Sequence, residues 1–233
     1  MKLLTFFIVA FLLLFSCAFL LAQERVKLFG SDEYKDPNSF TIARMKYGGG
    51  GDWYWGRSAV PNMLDFLKEN TNISVGEEVW VSIMDKELFE YPFLFITGHG
   101  NVFFNEQETK RLRNYLTCGG FLFVNDSYGL DGAFRREIKK VFSDKDLVEL
   151  PSSHGIYHCF YDFPKGLPKI HQHDGKPPQG FGIFHEGRLV VFYVYESDIS
   201  DGWEDPEVHQ DPPDKREAAL RMGVNIITWI LGY

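Results

Sequence analysis

The chain has 233 residues, 45% of them hydrophobic and 16% aromatic, with a formal net charge of -8. That acidity argues against the phosphate backbone of nucleic acid as a partner, because such contacts need a basic stripe. Three cysteines are too few for a disulfide framework, and buried free thiols are expected at Cys118 and Cys159.

Lys2 is followed by an uncharged apolar run from Leu3 to Ala22, after which Gln23, Glu24 and Arg25 restore polar composition. The pattern is that of an export signal, so residues 1–22 are expected to be a signal peptide or N-terminal anchor. Three routes remain open. Cleavage after Ala22 has a small residue at the cut but Leu20 two positions before it. Lipid attachment at Cys17 is suggested by Leu14-Phe15-Ser16-Cys17, which resembles a loose bacterial lipobox. Retention as an uncleaved membrane tether is the third, since the run approaches the roughly 20 residues that span a bilayer. Each route predicts a mature protein outside the cytoplasm, periplasmic or anchored on the extracytoplasmic side. Residues 23–233 suit a single larger domain, with no repeat or linker to divide them.

Alternation over Phe40 to Tyr47 predicts a first strand, broken by Gly48 to Gly51 ahead of an aromatic turn at Trp53-Tyr54-Trp55. Pro61 to Leu67 predicts a helix with Met63, Leu64 and Leu67 on one face. Val79 to Ile83 reads as a strand and Asp85 to Phe89 as a helical turn before the strand Phe-Leu-Phe-Ile-Thr at 93–97. Asn105 is placed to cap a helix that Gly119-Gly120 ends. The strand Phe121 to Val124 follows, then an amphipathic helix from Asp131 to Phe142. After Pro151 the pattern is irregular until Phe181 to Phe184 and Leu189 to Tyr195, which read as a hairpin. A helix from about Asp214 to Leu231 closes the chain, with Ala219, Met222, Ile226 and Ile230 toward the core. Strands alternating with helices predict an α/β fold.

The blocks KYGGGGDWY, PNMLDFL, YPFLFITGHG, GGFLFVNDSYG, ELPSSHGIYHCFY, SDISDGWED and AALRMGVNIITWIL, in this order, resemble the bacterial domain-of-unknown-function family 4159. That family is similar to the class I glutamine amidotransferase-like superfamily. The resemblance implies a flavodoxin-like, doubly wound, mainly parallel sheet with helices on both faces, here extended by a C-terminal hairpin plus helix. It implies a fold and not a reaction. Amidotransferases carry a cysteine on the turn after a central strand and a His-x-Glu pair late in the chain. The matching turn here, Asn125 to Gly129, holds no cysteine, and no His-x-Glu follows it.

In such a sheet, ligands gather at the carboxyl ends of the strands. His99, Gly100, Asn125, Asp126 and Ser127 are therefore expected around one crevice, with Trp53, Asp201, Trp203 and Glu204 as further ligand-binding candidates. Asn125-x-Ser127-x-Gly129 approximates a nucleophile elbow, for which His154 or His158 would be the base and Asp162 its orienter. The competing expectation is that Asp126 or Ser127 caps the next helix. Five of the seven histidines, His99, His154, His158, His171 and His173, fall in predicted loops, yet no His-Glu-x-x-His or comparable signature accompanies them. Neither a metal nor another cofactor is expected on that ground. The acidic stretch Glu196 to Asp205 misses the EF-hand spacing and reads as a solvated loop with Trp203 plugging the domain edge. Gly48 to Gly51 follows a strand as phosphate-cradling loops do, but lacks their lysine and reads as a flexible turn.

Together these features predict an exported binding or assembly module of the bacterial envelope, lacking the cysteine nucleophile. Its partner would be an envelope protein or a small ligand. The alternative is a hydrolase using Asp126 or Ser127 with His154 or His158.

Overall fold

In the computed structural model, which describes residues 39–232, Ala43–Lys46 (β1) leads through Ala59–Asn70 (α1) to Val79–Ser82 (β2). Phe93–Ile96 (β3), Glu106–Thr117 (α2), Phe121–Asn125 (β4), Asp131–Val141 (α3) and the short Val148–Glu149 (β5) follow. The hairpin Gln179–His185 (β6) and Arg188–Tyr195 (β7) precedes Pro206–His209 (α4) and Pro213–Gly232 (α5). The expected export segment and Cys17 lie outside the described residues, among which no helix is long and apolar enough to cross a membrane.

The strands form one sheet of order β2-β1-β3-β4-β7-β6-β5. From β2 to β7 all neighbours are parallel, and β6 and β5 extend the sheet antiparallel. The parallel part has the flavodoxin-like order, with its reversal between β1 and β3. Period-two alternation explains why every side chain of β3 and β4 is buried. Phe93, Phe95, Phe121 and Phe123 enter one core with residues of α1 and α5. Leu94, Ile96, Leu122 and Val124 enter the other, with residues of α2 and α3. Because parallel crossovers are right-handed, leaving β1 in one direction and returning past it in the other places α1 and the later crossover helices on opposite faces.

Local signals set the boundaries. Asn105 and Glu108 form a reciprocal capping box at the start of α2. Pro213 opens α5, where a missing N–H costs nothing. Glu186 and Gly187 both have positive φ, 50° and 82°, as the tight turn between β6 and β7 requires. Three expectations need correction. Cys118 is exposed because it stands past the last buried residues of α2, Tyr115 and Leu116, where the chain turns through Gly119, while Cys159 is half-buried. Both are free thiols, as expected. The acidic stretch is not a solvated loop: Glu196, Asp198, Asp201 and Glu204 are all buried. Just before Pro151 the chain also forms β5, a strand too short and too exposed to show a period in the sequence.

Candidate functional site

The carboxyl ends of β1, β3, β4 and β7 meet at one edge of the sheet. Arg44, wholly buried in β1, ties down the loop after that strand. Its Nε lies 2.6 Å from Glu78 Oε1, while its Nη1 and Nη2 donate to the carbonyls of Trp55 and Gly56 at 2.6 and 2.8 Å. The loop after β3 can approach this one because residue 98 is glycine. Its φ is +127°, and a Cβ there would stand 2.6 Å from Tyr47 Oη and 2.7 Å from Asp52 Oδ1. Asp52 accepts from the His99 amide and has Oδ2 3.0 Å from His99 Nδ1. The His99 ring stands edge-on to Trp55 at 4.7 Å.

At the end of β4, side chains form a closed polar network. Ser127 Oγ lies 3.0 Å from Thr97 Oγ1, which lies 3.0 Å from Ser200 Oγ. Asn125 donates to Ser127 Oγ at 3.2 Å and to Asp198 Oδ1 at 3.0 Å, and accepts from the Ser200 amide at 3.1 Å. Asp126 Oδ1 accepts from the amides of Tyr128 and Leu130 at 3.0 and 2.9 Å, at the entrance to α3. Burial raises the Asp126 carboxyl above its usual range, and those two amides only partly offset it.

The end of β7 brings the acidic stretch onto three histidines. Asp198 Oδ2 is 3.1 Å from His171 Nδ1 and 3.0 Å from His173 Nε2. Asp201 Oδ2 is 3.8 Å from His171 Nδ1 and 3.4 Å from His209 Nε2. His171 Nε2 lies 3.1 Å from Asp211 Oδ2, and His209 Nε2 lies 2.8 Å from Glu204 Oε2. The other oxygen of Asp201 accepts from Trp55 Nε1 at 3.2 Å and Ser127 Oγ at 3.4 Å. His171 is raised by its bond to Asp198 against the opposing pull of burial. Asp201 is raised by burial and by the neighbouring Asp198, whereas Asp198 is lowered because bonds from His171, His173 and Asn125 outweigh its burial. Backbone strain gathers here too. Tyr128, His173, Glu196, Asp198 and Gln210 are five of the six described non-glycine residues with positive φ.

The structure brings together His99, Asn125, Asp126, Ser127, Asp201 and Glu204 at this edge, and β3 and β4 are indeed adjacent. Gly100 lies on the exposed rim, where its amide is 4.0 Å from a Cβ built on Gly129. Trp203 needs correction as a ligand-stacking candidate. It is 1% exposed, tilted against Phe95 and Phe123 at 5.8 Å each, and donates to Ala219 O. Trp53 packs edge-on between Tyr54 and Trp80, at 5.4 and 5.5 Å. The structure does not bring His154 or His158 to Ser127. His154 accepts from the Ile156 amide and stacks near Trp229 and Phe184, at the end of β6 that pairs with the start of β7. Ser127 follows the strand that pairs with the end of β7. His158 is engaged by Asp162 and by the Ser152 carbonyl. Sequence reasoning left out His209, Asp211, Thr97, Ser200 and Trp55 and read Asp198 only as part of the acidic stretch; density of His and Asp in separate loops was the one signal for His209, Asp198 and Asp211.

A family model described as Domain of unknown function (DUF4159) matches residues 41–231. The chain belongs to this family. The span that matches the DUF4159 model contains the whole site, from Arg44 to Asp211. No curated protein matches the chain.

Proposed function

We propose that this DUF4159 chain is an exported envelope module that binds a ligand or partner at the carboxyl edge of an amidotransferase-like sheet, without acyl-transfer chemistry of its own. The observation that carries the reading is the state of the turn after β4. The position where amidotransferases keep a nucleophile holds Asn125, Asp126 and Ser127, and each is committed to internal bonds. Ser127 Oγ meets Thr97, Asn125 and Asp201, and among the described residues no histidine bonds to it. A serine nucleophile needs a base within about 2.6–3.2 Å. Open beside this closed network are His99 and Asp52, whose side chains are 36% and 26% exposed, and the rims of His171 and His209. They give the edge polar groups able to meet a ligand from solvent. The uncharged run Leu3 to Ala22 supports export.

A fluorophosphonate probe on the full chain tests the first half. Absence of labelling at Ser127, with Ser127→Ala as control, is expected, and stoichiometric labelling lost in that variant would overturn the reading. Cell fractionation tests the second half. Full-length soluble protein in the cytosol would contradict export, and palmitate labelling lost on Cys17→Ala would identify a lipid tether.

A further inference from the structure

We infer that the His171, His173, Asp198, Asp201 and His209 cluster is a binding site for one divalent transition-metal ion. The proposal deepens the binding reading by naming an ion as a ligand of the same edge. Two sets of three side chains, His171, His173, Asp198 and His171, Asp201, His209, each present ligand atoms within 4.8 Å of one another, and they share His171. An ion with bonds of about 2.0–2.1 Å to nitrogen and oxygen in tetrahedral array needs ligand atoms roughly 3.3 Å apart. The separations around His171 Nδ1 and the two carboxylates run from 3.0 to 3.8 Å. His171 belongs to both sets, so an ion bound through it takes its further ligands from Asp198 and His173 or from Asp201 and His209.

The outer contacts fit the same assignment. A metal-bound imidazole ordinarily gives its other nitrogen to a carboxylate, which fixes the tautomer and aims the free lone pair at the ion. His171 does this with Asp211, at 3.1 Å, leaving Nδ1 turned to Asp198 and Asp201. Each of those carboxylates is held through its second oxygen, Asp198 by Asn125 and Asp201 by Trp55 and Ser127. Asn125 and Ser127 thus become positioning residues for the cluster. Charge points the same way. Among the described residues no lysine or arginine side chain is ion-paired with Asp198, Asp201, Glu204 or Asp211. Imidazoles and neutral donors are the partners these buried carboxylates have, so a cation held among them would further offset the cost of burying their charge. Imidazole with carboxylate suits zinc, cobalt, iron or nickel, whereas magnesium and calcium favour oxygen alone.

The test uses the full-length, untagged chain, stripped with a chelator and titrated with cobalt(II), followed by visible absorption and by competition with zinc. The expected result is one equivalent bound, with the intense bands of a four- or five-coordinate ion, displaced stoichiometrically by zinc and not by a large excess of magnesium or calcium. His171→Ala should weaken binding at least about 100-fold, and His173→Gln or His209→Gln about 10-fold or more, since losing even an outer partner of a metal ligand typically costs about 10- to 100-fold. His158→Ala should bind as wild type does. Near-ultraviolet circular dichroism of each variant separates lost ligation from lost folding, and the two glutamine variants keep the test decisive where His171→Ala does not fold. Failure of wild type to bind cobalt or zinc, two equivalents bound, equal competition by magnesium or calcium, or undiminished binding by folded His173→Gln and His209→Gln would overturn the site. Probe labelling of Ser127 would instead overturn the proposed function and leave the metal site standing.

Discussion

Asp126 is a buried carboxylate in a turn that needs its oxygens as acceptors. Its pKa is raised in the folded state, so the stability it contributes is fully present below the ordinary carboxylate range and is lost as pH rises through the folded value. Asparagine keeps an acceptor for the Tyr128 and Leu130 amides and offers an N–H to the Tyr193 hydroxyl, which sits 3.4 Å from Asp126 Oδ2. Asp126→Asn is therefore expected to be at least as stable as wild type at pH 7, with its advantage shrinking toward about pH 4. Urea unfolding at both pH values measures this, and a variant weaker at pH 7 than at pH 4, relative to wild type, would refute it. Trp203 gives a second residue-level prediction. As a core side chain between Phe95, Phe123 and α5 it should cost about 3–5 kcal/mol on truncation to alanine, seen as a lowered midpoint in thermal unfolding. A near-neutral Trp203→Ala would mean that the ring serves something other than packing.

At the scale of elements, α3 is fastened to the segment before α2 by one buried acid. Glu137 accepts from the Phe104 amide and from Lys140 through Oε2, at 2.8 and 2.7 Å, and from Arg136 through Oε1 at 2.8 Å. Burial opposes its ionisation, but these donors prevail and hold it below the usual value of 4.5. A depressed folded pKa contributes stability above the unfolded pKa that disappears as pH falls through the folded value. Glu137→Ala strands a buried amide, which should cost about 1–3 kcal/mol near neutrality. The gap between variant and wild type should then narrow below about pH 4.5. Chemical denaturation across that range checks the sign, and a gap that widens on acidification would reject it.

For the whole molecule, Arg44 couples the sheet to the site. It sits in β1 with its guanidinium 5.3 Å from the Phe95 ring, pairs with Glu78, and holds the backbone of Trp55, whose indole reaches Asp201. Removing one partner of a buried ion pair typically costs about 3–5 kcal/mol, because the other charge is left behind. Arg44→Met should lose stability on that scale. In calorimetry under conditions where it stays folded, it should also bind cobalt more weakly than wild type. Unchanged cobalt affinity in the folded variant would show that the Trp55 loop is positioned without Arg44.

The sequence alone determined the layered α/β architecture. Phenylalanine and aliphatic residues alternate through β3 and β4, Asn105 caps α2, and Glu186-Gly187 turns the chain between the hairpin strands. These signals are local, carried by residues within a turn or strand of one another. It also placed His99 and Asp126 on neighbouring strand ends, since βα turns share one edge of a parallel sheet. Only the tertiary structure decided what that edge contains. His171, Asp198 and Asp211 belong to three segments with no common motif, and they meet because β7 inserts beside β4 and the chain then folds back over the sheet end. The burial of Trp203 and of the acidic stretch was equally nonlocal. Composition suggests solvation for a run of carboxylates, and it is the imidazoles and amides arriving from distant loops that make their burial tolerable.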